Sequence, residues 1–144
     1  MSASQTEAQG QHIVELRIPA RAENLALARL ALAGIGAIAG AREDVIADLK
    51  VSVTEACTNS IQHAYAGRAG NVVVRYRAAG EVLEVEVADD GSGFDTNDPG
   101  NDSVEGSGGQ GMGLMIIREL SDEVRMESDE SGSRIVFSRR VDKS

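Results

Sequence analysis

Residues 42–66 read REDVIADLKVSVTEACTNSIQHAYA. Within them Val45, Leu49, Val53, Ala56 and Ala64 recur at three- and four-residue steps, the spacing of an apolar helix face, with Ser60 interrupting the stripe. The pattern predicts a helix over about 42–66. Glu55 and Asn59 are four apart and share another face, which Ser52 and Gln62 or His63 extend, roughly opposite Val53. Many surface helices carry such a polar stripe and do nothing with it. A carboxylate one turn from an amide oxygen also suits a hydrated magnesium ion with a nucleophile beside it. Cys57 lies between the pair in sequence but faces elsewhere, as buried filler.

Two strands follow, at about 71–78 (NVVVRYRA) and 81–89 (EVLEVEVAD), joined through Ala79 and Gly80 as a hairpin. In the second, Leu83, Val85 and Val87 share one side while Glu84 and Glu86 share the other. Asp89 falls in the apolar set by parity. A buried carboxylate without a partner is costly, so either the strand ends before Asp89 or a donor waits there: a protein group, a water or a ligand amine. Residues 90–110 are glycine-rich, acidic and aperiodic, a long loop of the kind that forms lids and binding loops. A short helix is expected over about 111–121, then strands near 123–129 and 133–141. Upstream, Val14, Leu16 and Ile18 alternate with charges as a half-buried strand. After Pro19, residues 21–33 read as a helix that Gly34, Gly36 and Gly40 bring to its end. Residues 1–11 are polar and aperiodic, a flexible tail before a single domain over 12–144. The order βααββ-loop-αββ predicts an α+β fold: a two-layer sandwich of a mixed, mostly antiparallel sheet with helices on one face.

Composition narrows the function. The chain has 144 residues, 42% of them apolar, and one cysteine, which excludes a disulfide framework or a multi-cysteine zinc site. His12 and His63 are too far apart in sequence to suggest a metal pair by themselves. A net charge of −9 argues against a nucleic-acid partner. No unbroken apolar run is long enough to cross a membrane, and no basic, apolar leader opens the chain, so a cytoplasmic domain is expected. No Lys or Arg lies between Arg77 and Arg118, a stretch holding nine acids. Alone, that stretch reads as a solvated loop.

Glycines flank it. Asp89-Asp90-Gly91-Ser92-Gly93 permits tight turns beside a carboxylate. Gly108-Gly109-Gln110-Gly111-Met112-Gly113 runs straight into an apolar helix, where unobstructed amides at a helix start attract phosphate. A loose G-x-G-x-x-G from Gly106 is no dinucleotide fingerprint, since no strand precedes it. Taken together and in order, the Glu55–Asn59–His63–Tyr65 series, the Asp89–Gly93 box and the Gly109–Leu114 box resemble the Bergerat-fold (GHKL) ATP-binding superfamily, which includes gyrase, Hsp-type chaperones, histidine kinases and MutL. Among its branches the sequence is most similar to the anti-sigma-factor serine/threonine kinases, with Asp122-Glu123-Val124 at the expected end of the last helix. The resemblance covers roughly residues 12–141.

The resemblance implies a Bergerat fold and a role for each matching residue. Asn59 would coordinate magnesium (Mg2+) on the phosphates of ATP, and Glu55 would be the general base for a substrate serine. Asp89 would accept a hydrogen bond from the adenine amino group, and Gly91 and Gly93 would let the chain pass close to the nucleotide. Gly109, Gly111 and Gly113 would bring amides to the phosphates, with Met112 and Leu114 assigned to ATP binding in the same box. Residues 94–108 would form the ATP lid, and Ser133 would support adenine through water. The implied partners are a STAS-type anti-anti-sigma protein, a sigma factor and a second copy in a homodimer. Related kinases often place an arginine in the lid or just before the last glycines, where this chain has Gly109 and Gln110. That departure points to slow transfer unless a cation comes from the partner or the second subunit. The alternative is an ATP-binding module that sequesters a partner with little or no kinase activity.

Overall fold

Parity makes the sheet one-sided. In a computed structural model that describes residues 11–65, 70–89, 109–129 and 132–142, five strands pair in the order β1-β2-β3-β5-β4. They are β1 (Gln11–Pro19), β2 (Asn71–Ala79), β3 (Val82–Asp89), β4 (Glu123–Asp129) and β5 (Gly132–Arg140). Val72, Val74, Tyr76 and Ala78 of β2 and Leu83, Val85 and Val87 of β3 are buried on one face. The other face is charged, with Arg77 against Glu84 and Arg134 against Glu86 and Glu127. Every described pairing is antiparallel, a narrower arrangement than the mixed sheet expected. The first strand begins at Gln11, one residue inside the expected tail. Residues 1–10 lie outside the described part. Of its inward residues only Ile18 is fully buried, because β1 is an edge strand.

Among the described residues three α-helices cover the apolar face: α1 (Leu25–Ala39), α2 (Glu43–Asn59) and α3 (Gly109–Leu120). The first was expected to end near residue 33. It runs through Gly34 and Gly36 and stops at Gly40, whose left-handed backbone (φ 74°, ψ 28°) caps it. Gly36 is there for space, since a Cβ on it would lie 2.8 Å from Ile46 Cδ1 of α2. A 3-10 turn over Ala22–Asn24 leads into α1, and over the two together, Ala22–Ala39, the mean hydropathy is 1.4, which gives them, on a window average, the length and composition of a membrane span despite Glu23 and Arg29. Here one face packs on the sheet through Ala28, Leu32 and Ile35, and the Tyr76 hydroxyl donates to the Ala28 carbonyl at 2.6 Å.

Glu43 and Asp44 in the first turn of α2 complement the helix dipole, and Val45, Leu49, Val53 and Ala56 are buried as the stripe predicted. The expected single helix to residue 66 divides at its end. Ser60, where the apolar stripe breaks, opens a π-helical turn over Ser60–Tyr65. At the far side Arg139 ties three elements together. Its guanidinium pairs with Asp48 of α2 at 2.7 Å and donates to the Leu120 carbonyl, the last of α3, at 3.0 Å.

Candidate active site

Asp48, Ser52, Glu55 and Asn59 are spaced so that they form one stripe on α2. The glycine-bearing start of α3 packs against the upper part of it. Gly113 is buried there, and a Cβ built on it would lie 2.9 Å from Glu55 Oε2, 3.4 Å from Asn59 Nδ2 and 3.7 Å from Asn59 Oδ1. Three residues that the sequence assigned to one site are thus in contact. Glu55 and Asn59 are half-buried beneath the start of α3. Ser52 sits on the expected face but is fully buried, and its Oγ has no hydrogen-bond partner among the described residues.

A second cluster closes the end of β3. The strand runs through Asp89, which is 7% exposed, and the waiting donor is the Ser133 backbone N–H, 3.0 Å from Oδ2. Ser133 Oγ in turn lies 3.1 Å from Ser128 Oγ across the β4–β5 pair. The two residues expected around adenine therefore touch each other. Gly109, Gly111 and Met112 lie in the opening turns of α3, whose first amides have no partner within the helix, and Leu114 is half-buried on the same helix. Gly91, Gly93, the expected lid at 94–108 and the His63 side chain lie outside the described residues.

Cys57 is buried away from this stripe, and desolvation pushes its thiol up to about 12, with Arg29 opposing. Burial raises the Tyr76 phenol above its ordinary value in the same way. Neither group is suited to ionise during catalysis. Among the described residues no three His, Cys, Asp or Glu side chains gather as a metal cage. The donors present fit a different kind of ion: magnesium, which takes one or two protein oxygens and completes its shell with water and phosphate. Asn59 Oδ1 is such a donor, beside the Glu55 carboxylate.

Sequence reading missed Arg139, although parity could have found it, since Ile135, Phe137 and Arg139 fall on the inward side of β5. It also missed why Gly113 must be glycine, because that reason lies on another helix.

The chain falls in a class, the ATPase domains of the histidine-kinase type. The family described as histidine kinase-like ATPase domain matches residues 18–139. A serine-protein kinase, RsbW of Bacillus licheniformis, is 39% identical over 142 residues, covering 90% of this chain and 89% of its own. RsbW of Bacillus subtilis (strain 168) is 36% identical over 135 residues, covering 88% and 84%. The chain belongs to the histidine kinase-like ATPase domain family, in its serine-protein kinase branch. Solved structures share its fold. The RsbU and RsbW domains of Rv1364c from Mycobacterium tuberculosis superpose with a TM-score of 0.68 at 22% identity, over 90% of this chain and 32% of that one. The histidine kinase domain of a blue-light activated kinase from Erythrobacter litoralis EL346 gives 0.54 at 21%, over 86% and 62%.

Proposed function

We propose that this protein kinase uses ATP and magnesium to phosphorylate a serine of a small STAS-type anti-anti-sigma protein, and that it also sequesters a sigma factor. The observation that carries the reading is the Glu55 carboxylate and the Asn59 amide held side by side under Gly113 of α3. Glu55 takes the proton from the substrate serine hydroxyl as its oxygen bonds to the γ-phosphorus. The bond from that phosphorus to the β,γ-bridging oxygen breaks, and ADP leaves. Asn59 Oδ1 holds the magnesium, which when bound offsets the charge of the phosphates. Amides at the start of α3, from Gly109 to Gly113, receive the phosphates. Asp89, ordered by the Ser133 N–H, accepts from the adenine amino group, and Ser133 supports the base through water. Residues 94–108 act as the lid.

The partners are protein: the STAS-type acceptor, the sigma factor and a second copy of the chain, with neither nucleic acid nor membrane, in the cytoplasm. A sequestering module with little transfer remains the second reading, favoured by one feature, the absence of Lys and Arg from 78 to 117. Incubation with γ-labelled ATP and a candidate STAS protein separates the two. Label should appear on an acceptor serine and fall about 10²–10⁴-fold in Glu55→Gln, with ATP affinity little changed. Tight ATP and partner binding without label would favour the second reading.

A further inference from the structure

We infer that Gly113 is a positioning residue: its missing side chain seats the Glu55 carboxylate against α3, so that the placement of α3 sets the placement of the proposed base. The inference rests on the reading of Glu55 as that base. Two ordinary reasons for a glycine fail here. Gly113 is not among the glycines with positive φ, which are Gly40, Gly80 and Gly132 among the described residues, so its backbone does not require glycine. Nor does helix formation, in which alanine is the better residue. What remains is space. A Cβ would lie 2.9 Å from Glu55 Oε2, closer than a carbon and a carboxylate oxygen can sit, whereas it would only touch the polar atoms of Asn59 at ordinary contact distance, 3.4 Å and 3.7 Å.

The nature of the neighbour matters. At Gly36 a Cβ would meet the apolar side chain Ile46 within a packed helix pair, so that glycine serves packing. At Gly113 it would meet the far end of a long, rotatable acid. A methyl there would push the carboxylate aside at little expense to the fold while taking it out of place for proton transfer. The contact lies in the first turns of α3, where the helix dipole favours a negative group. Because the same turns carry the amides assigned to the phosphates, whatever seats α3 on the nucleotide also seats Glu55.

The test is Gly113→Ala in the native chain and in Glu55→Gln, read three ways: consumption of γ-labelled ATP alone and with a STAS-type acceptor, ADP affinity, and the side-chain carboxyl ¹³C resonance of Glu55. We expect consumption to fall about tenfold or more in the native background and less than twofold in Glu55→Gln, as coupled residues do. ADP affinity should stay within about threefold, because no amide is removed. The Glu55 resonance should move. Equal fold-losses in both backgrounds, or an unmoved resonance, would overturn the inference. Should Glu55→Gln alone consume ATP at the native rate, the base reading fails, and the resonance still decides whether Gly113 places the carboxylate. If Gly113→Ala does not fold, adding Glu55→Asp, which withdraws the carboxylate by one methylene, should restore folding. A double variant that stays unfolded would also overturn the inference.

Discussion

Asp89 shows how one residue can serve both the fold and a ligand. It is nearly buried and accepts from the Ser133 amide, so Asp89→Ala strands that donor and should cost about 1–3 kcal/mol in urea unfolding. ATP should also lose its advantage over GTP in raising Tm, and equal stabilisation of the native chain by the two nucleotides would refute the adenine reading. Asn59→Ala is expected to behave differently. It should remove most of the magnesium-dependent part of the ATP-induced rise in Tm and leave the magnesium-free part. Cys57 gives a pH dependence of known sign. Below the ordinary thiol value of about 8.5 both states carry the neutral group, and nothing is lost. Above it the unfolded chain ionises first, so stability falls as pH rises until about 12, where the folded thiol ionises too. The alkaline fall in Tm should be shallower in Cys57→Ala, and a thiol reagent at about pH 8 should label the native protein only as it unfolds.

At the scale of elements, the seating of α3 is fixed at both ends by different means. Its start rests on α2 through the bare Gly113, and its last carbonyl is held by Arg139, itself paired with Asp48. Breaking a buried ion pair costs more than breaking an exposed one, and here only the arginine is deeply buried, with side-chain exposures of 7% and 36%. Arg139→Met, which keeps the apolar stem, should therefore cost about 1–3 kcal/mol, and adding Asp48→Ala should recover part of it. Full additivity of the two in urea unfolding would show that the pair contributes nothing. The extent of α1 follows from the same kind of contact. Its glycines looked like a stop because glycine weakens helices, yet Gly36 is the residue that lets α1 approach Ile46 of α2.

For the whole molecule, two features point outward. Leu27, Leu30 and Ile38 of α1 are 46%, 68% and 61% exposed, and Ile13 and Val14 are exposed on the neighbouring edge strand β1. An apolar helix face of this kind is expected to meet a partner, and a homodimer or the sigma factor through α1 is the reading proposed. Leu27→Glu should lower the mass seen by light scattering or weaken sigma-factor binding in a folded protein. A native monomer whose partner binding this change leaves intact would refute it. The second feature is charge. With no cation from 78 to 117, intrinsic hydrolysis and transfer should be slow, since an arginine at the transferred group can be worth roughly 10³–10⁵ in rate. Gln110→Arg should speed transfer without greatly tightening ADP binding. A fast native enzyme that Gln110→Arg leaves unchanged would show the missing cation to be irrelevant.

Local spacing alone determined the one-sided sheet, the apolar stripe of α2 and the inward parity of Asp89, while the boxes that carry Glu55, Asn59 and Gly113 were legible only through a resemblance of the sequence to a known family. Alternation and three- or four-residue steps decide which face of an element is apolar, and they act within one turn or one strand. Only the tertiary structure decided what each face meets. Ser133 supplies the donor for Asp89 from 44 residues away, and Asp48 meets Arg139 from 91 residues away. The burial of Ser52, the passage of α1 through Gly36 and the contact of Gly113 with Glu55 are of the same kind. Each depends on a second element whose distance and angle no local pattern contains, so the sequence could say that a glycine stands at 113 but not that a carboxylate fills the space it leaves.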